Sequence, residues 1–113
     1  MSKQEREIIW VVVNTNSVRE ADKIGRTVLK QRLCACFGIY SRMMSVYFWP
    51  PKTSKQETSK GPLLVLETLP AKYKKISQLV KSLHSDKLPF IGRLEIKEVE
   101  NKFYQWLKNE VQH

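Results

Sequence analysis

The chain holds two cysteines, Cys34 and Cys36, and two histidines, His84 and the terminal His113. A thiolate together with an imidazole suits Cu(I), Cu(II) or Zn(II). Spacing alone does not make such a pair. Cys36 and His84 lie far apart in sequence, with no C-x-x-C or H-x-x-x-H clamp, so by themselves they read as a buried thiol and a helix-end histidine. Cys34 and Cys36 are two apart. In a strand they point to one side, too far apart and too parallel for an unstrained bridge. As free thiols they fit a reducing compartment, and together they favour adventitious capture of Cu(I) or Hg(II).

A second constellation is Tyr47, Trp49 and Lys52, an aromatic wall and one cation before a polar stretch. Those types suit an anionic small molecule held at a junction between subunits. The plainer reading is aromatic packing in the interface itself. Catalytic motifs are missing: no G-x-S-x-G, H-E-x-x-H, P-loop or G-x-G-x-x-G is present, and two histidines leave little for acid–base work. The expectation is a protein that is not an enzyme and requires no cofactor.

These residues need elements to position them, and the run Leu33 to Trp49, LCACFGIYSRMMSVYFW, is central. It is free of Pro, Asp, Glu and Lys and rich in aromatic and apolar side chains, as a buried strand would be. Its seventeen residues, fully extended, would span roughly 55 Å, against about 17–20 Å for an ordinary strand. Part of it must project, with a bend or bulge at Ser41-Arg42, where the apolar alternation fails. A projecting apolar strand calls for a partner chain, so a defined oligomer is expected.

Around this run, EIIWVVVN at Glu7 to Asn14 reads as a buried strand. Ser17 and Glu20 form a capping box for a helix to about Arg32, with Ala21, Ile24, Val28 and Leu29 at helical spacing. Gly25 inside that helix implies close approach of a neighbouring element. Pro50-Pro51 ends the long strand. KTSKQETSKG reads as a mobile hairpin tip, and LLVLETL at Leu63 to Leu69 is the returning strand. A second helix runs from Pro70 to His84 on Tyr73, Ile76, Leu79, Val80 and Leu83. Ile91 to Val99 alternates as a half-exposed strand, and Asn101 caps a last helix, with Phe103 and Trp106, like Trp10, expected in the core.

The order is β-α-β-β-α-β-α, an α+β, ferredoxin-like βαββαβ arrangement with an appended C-terminal helix and a long hairpin between the second and third strands. At 113 residues one domain is expected, spanning 1–113. With no 18-residue apolar run and a charged N-terminus, MSKQERE, neither a membrane span nor a secretory signal is read, and a soluble cytoplasmic protein is expected. Twenty Lys and Arg against eleven Asp and Glu give +9, which attracts anions as a class. The densest cluster, Lys72, Lys74 and Lys75, reads as a solvated face. RNA-binding domains share this βαββαβ order, but LLVLETL lacks their basic-Gly-aromatic octamer, so nucleic acid is the runner-up on charge alone.

In this order the sequence resembles the CutA family of divalent-cation tolerance proteins from Ile8 to Val111. Arg32-Leu33-Cys34-Ala35-Cys36 with Ile39 is similar to the family's RLAAC-V-N-I, with Cys36 in the place of its cysteine. Ser45-Val46-Tyr47-Phe48-Trp49 followed by Lys52 is similar to S-I-Y-x-W-x-G-K. Leu83-His84, Leu88-Pro89 and Ile91 resemble LHPYEVPEI, and FYQWL at Phe103 to Leu107 resembles YLEWL. This chain departs at Ser85-Asp86-Lys87, Phe90, Pro51 and Gly38, losing two carboxylates near His84, and in its strong positive charge. The resemblance implies a homotrimer built by pairing strand edges around extended hairpins. It also implies a metal-tolerance role with copper or another divalent cation as partner, Cys36 and His84 as ligands and Cys34 assisting. The family's likeness to the trimeric PII signalling proteins leaves a small-ligand module as a further alternative.

Overall fold

The computed structural model describes residues 6–111. Its elements are β1 (Ile8–Asn14), α1 (Val18–Lys30), β2 (Cys36–Tyr40), β3 (Ser45–Phe48), β4 (Gln56–Ser59) and β5 (Leu63–Thr68), followed by a 3-10 turn (Pro70–Lys72), α2 (Tyr73–Leu83), β6 (Ile91–Ile96) and α3 (Asn101–Glu110). The main sheet has the order β2-β5-β1-β6 with every neighbouring pair antiparallel. β3 and β4 form a separate two-stranded arm.

The two periodicities of the sequence meet in one core. Alternate residues of β1 and β5, namely Ile9, Val11, Val13, Leu64 and Leu66, face the apolar stripes of α1 and α2, with Ala21, Ile24, Val28, Ile76 and Val80. At Gly25 helix and sheet approach closely: a Cβ there would lie 2.6 Å from the Phe37 ring. On the opposite face α3 covers one end, packing Leu107 and Val111 on Ile8. Further along that face Trp10 and Val12 are only half-buried.

The long apolar run is not one strand. It divides into β2 and β3 because Arg42 turns its side chain back into the body, donating from Nη2 to the Thr15 carbonyl at 3.0 Å and from Nη1 to Ser45 Oγ at 2.7 Å. The polar stretch expected as a mobile tip contains β4, in register with β3 from Ser45↔Ser59 to Phe48↔Gln56. An arm flanked by solvent needs only backbone partners for its ladder, so apolar alternation is no guide to it. The turn itself is closed by the Trp49 amide donating to the Lys55 carbonyl at 3.0 Å.

Smaller expectations are also corrected. The Glu20 carboxylate returns to the Asn16 amide (2.9 Å), while Ser17 Oγ accepts from the Glu20 amide (3.0 Å), so the box spans one residue more than expected. Glu100, not Asn101, caps α3, its carboxylate accepting from the Phe103 amide at 2.8 Å; a charged acceptor there also answers the helix dipole. Trp106 is 44 % exposed rather than core, its ring tilted against Phe103 with centroids 5.4 Å apart. His113 lies outside the described residues.

Candidate functional site

The chemistry-bearing side chains gather where the arm leaves the sheet. β1 ends at Asn14, and buried Thr15 donates its hydroxyl to the Pro62 carbonyl at 2.8 Å. Gly61, at φ 148°, makes that closure possible, because a Cβ there would sit 2.1 Å from the Thr15 carbonyl oxygen. The segment after α2 is then latched to the same corner. Asn16 donates its amide to Ser85 Oγ (2.9 Å) and Asp86 Oδ1 (3.0 Å), and the second carboxylate oxygen of Glu20 accepts from the Ser85 amide at 2.8 Å. Partial burial opposes charge on Glu20, but hydrogen bonds from Ser85 and Asn16, with His84 nearby, hold its carboxyl below the usual range.

His84 is the pin of this latch. Its side chain is fully buried. Nδ1 accepts from the Asp86 amide at 3.0 Å, which places the proton on Nε2, and Nε2 lies 2.6 Å from the Asn14 carbonyl it donates to. Both ring nitrogens are thus occupied by backbone, and neither turns a lone pair outward.

Above the latch is a cleft of about 640 Å³ lined in part by Asn14, Asn16, Arg42, Tyr47, Trp49 and Phe90. Arg42 reaches Ser45 Oγ, the Ser59 carbonyl (3.4 Å) and the Thr15 carbonyl, all neutral acceptors. Its Nε is buried and has no partner. Among the described residues no carboxylate is paired with Arg42. Lys87 adds a second cation to the lining and Asp86 one carboxylate, already engaged by Asn16.

The structure brings Tyr47 and Trp49 together on this cleft and leaves Lys52 outside its lining, at the arm's turn with φ 63°. The cation beside the aromatics is therefore Arg42. The only charged residue between Leu33 and Trp49, it could have been singled out on that ground. The spread over Asn14, Asn16 and Phe90 has no sequence signal, because β1, the arm and the segment after α2 meet only on folding.

Cys36 and His84 are not brought together within one chain. Cys36 opposes Glu67 on β5, whereas Asn14, which holds His84, opposes Leu63. Four residues of strand, about 13 Å, separate the two positions along β5 alone. Burial raises the Cys34 thiol to about 12, and for Cys36 burial, then the Glu67 carboxylate, raises it too, so neither is a thiolate at neutral pH. Among the described residues no three His, Cys, Asp or Glu side chains cluster as a metal ligand set. A resident metal does not fit the donors of one chain.

Residues 9–110 match the family model described as CutA1 divalent ion tolerance protein. The chain belongs to that family. Among its relatives, the rice "Protein CutA 1, chloroplastic" is 30% identical over 101 residues, covering 89% of this chain and 55% of the relative. The divalent-cation tolerance protein CutA of Thermus thermophilus is 28% identical over 102 residues, covering 90% and 94%. The chain thus spans about half of the plant relative and nearly all of the bacterial one. Among solved structures, CutA1 from Oryza sativa superposes with TM-score 0.86 at 26% identity, covering 94% of each chain. CutA from Archaeoglobus fulgidus, described as periplasmic, superposes with 0.86 at 24%, covering 93% of this chain and 99% of that one. The mixed α+β fold of antiparallel sheet and three helices is that of the CutA1 structures. Among the described residues no helix is long and apolar enough to cross a membrane.

Proposed function

We propose that this CutA-family protein is a non-catalytic, ferredoxin-like homotrimer of the cytoplasm that takes part in the response to divalent cations, copper among them. The observation that carries the assembly is the β3–β4 arm. Two strands alone are marginal in water, yet this arm exposes Val46 and Phe48, with Met43 and Met44 at its root. The radius of gyration, 15.6 Å, exceeds the roughly 13 Å of a compact chain of this length, as a projecting arm requires. A second copy offers the missing neighbour, because β2 and β6 are both edges of the main sheet.

Copper enters this reading as a weak ligand. Of the three side chains expected from the sequence, Cys36 is the one kept as the contact, half-buried beside Glu67. Cys34 lies in the core and His84 is held by backbone at both nitrogens.

Light scattering coupled to size exclusion tests the assembly. A mass near 40 kDa is expected, about three times the 13.3 kDa chain, with a melting temperature that rises with protein concentration. A monomer at micromolar concentration overturns the reading.

A further inference from the structure

We infer that the cleft at the root of the arm is a binding site for a small organic anion carrying a planar ring. Three partly exposed rings line it, Tyr47, Trp49 and Phe90. Rings left in water at one place favour a flat apolar partner. Beside them stands Arg42, a half-buried guanidinium whose hydrogen bonds go to neutral oxygens and which, among the described residues, is paired with no carboxylate. A cation held out of bulk water without a counter-charge attracts an anion more strongly than a solvated lysine does. The cleft's volume, about 640 Å³, is that of a small-ligand pocket.

The scaffold is suited to hold such a ligand in place. The ring of Phe90 lies over Gly92, where a Cβ would come within 3.1 Å of it. The side opposite the arm is fixed by Asn16, Glu20 and Ser85. The charge arrangement selects against cations: Arg42 and Lys87 face the cleft, and the one carboxylate, Asp86, is turned to the Asn16 amide. All of these groups come from one chain.

Titration calorimetry with four probes tests it: adenosine 5′-monophosphate, indole-3-acetate, adenosine and inorganic phosphate. At least one ring-bearing anion is expected to bind about tenfold tighter than both adenosine and phosphate, because ring and charge are satisfied together. If neither ring-bearing anion exceeds adenosine, the anion site is overturned. Arg42→Gln is expected to abolish that preference, and Arg42→Lys to keep part of it. A folded Arg42→Gln protein with unchanged preference also overturns the site. Should Arg42→Gln fail to fold, Trp49→Ala decides: affinity for the ring-bearing anion falls to that for phosphate, and unchanged affinity refutes the inference.

Discussion

Arg42 Nη2 donates to the carbonyl of Thr15 at 3.0 Å, and this bond ties the root of the projecting arm to the end of the central strand. In the break between β2, which pairs with β5, and β3, which pairs with β4, a side chain makes the attachment. It also places a guanidinium in the wall of the cleft, so one residue serves both the arm's attachment and the cleft's charge.

Arg42→Met is therefore expected to cost about 2 kcal/mol, the loss of charge-assisted hydrogen bonds that leaves the Thr15 carbonyl unpaired. Urea unfolding measures the loss. Limited proteolysis adds a local readout, with cleavage between Tyr40 and Pro62 rising more than elsewhere. Uniform protease resistance would show that the arm is attached by other contacts.

Gly25→Ala sets two effects against each other. Alanine favours the helix by about 1 kcal/mol, but its Cβ would lie 2.6 to 2.8 Å from three atoms of the Phe37 ring, including the Cγ at its base. Overpacking of that kind costs about 1–3 kcal/mol, so net destabilisation is expected by denaturant titration. Phe37→Leu in the same protein should recover part of it. A stabilised Gly25→Ala would mean that the ring moves aside freely.

Acid should loosen the corner that Glu20 ties. Its carboxyl is held below the ordinary 4.5 in the folded protein, so the stabilisation is complete above that value and is lost as pH falls through the folded value. Unfolding midpoints measured from pH 7 to pH 3 should drop for the parent. Glu20→Gln should be less stable at pH 7 and show a shallower fall. Parallel curves would assign the acid sensitivity to other carboxylates.

Copper separates the thiol from the imidazole. With His113 removed, Cys36→Ser is expected to abolish the micromolar or weaker copper binding, and His84→Ala to leave it unchanged. His84→Ala should instead cost about 2–3 kcal/mol, because it empties a buried site and leaves the Asn14 carbonyl and Asp86 amide without their partner. Copper calorimetry paired with thermal melts reads both. Loss of copper by His84→Ala at unchanged stability would bring the histidine back as a ligand.

Much of this protein was legible in its residues because the signals are local. The helical spacing of Ala21, Ile24 and Val28 and the apolar run of β1 place the core. The Ser17–Glu20 pair marks a helix start, and Gly25 announces a close neighbour before that neighbour is known to be Phe37. Both thiols are free, but the shared strand face expected for them does not hold: β2 begins at Cys36, and Cys34 packs ahead of it in the core beside Phe37 and Ile39. The motifs from Arg32 to Leu107 are sufficient for the family.

Tertiary structure decided the rest, because it depends on which distant segments meet. Arg42 reads as a break in alternation until Thr15 and Ser59 stand within its reach. β4 has no apolar pattern, since its ladder with β3 is made of backbone groups common to every residue. Trp106 has core spacing, yet the short α3 covers only one end of the sheet and leaves that ring half in water. Cys36 and His84 suit one metal as residue types, and only strand register shows that β5 keeps them apart within a chain. Residue type and spacing set what a side chain is able to do; the packing of β1, the arm and the segment after α2 sets which side chains can do it together.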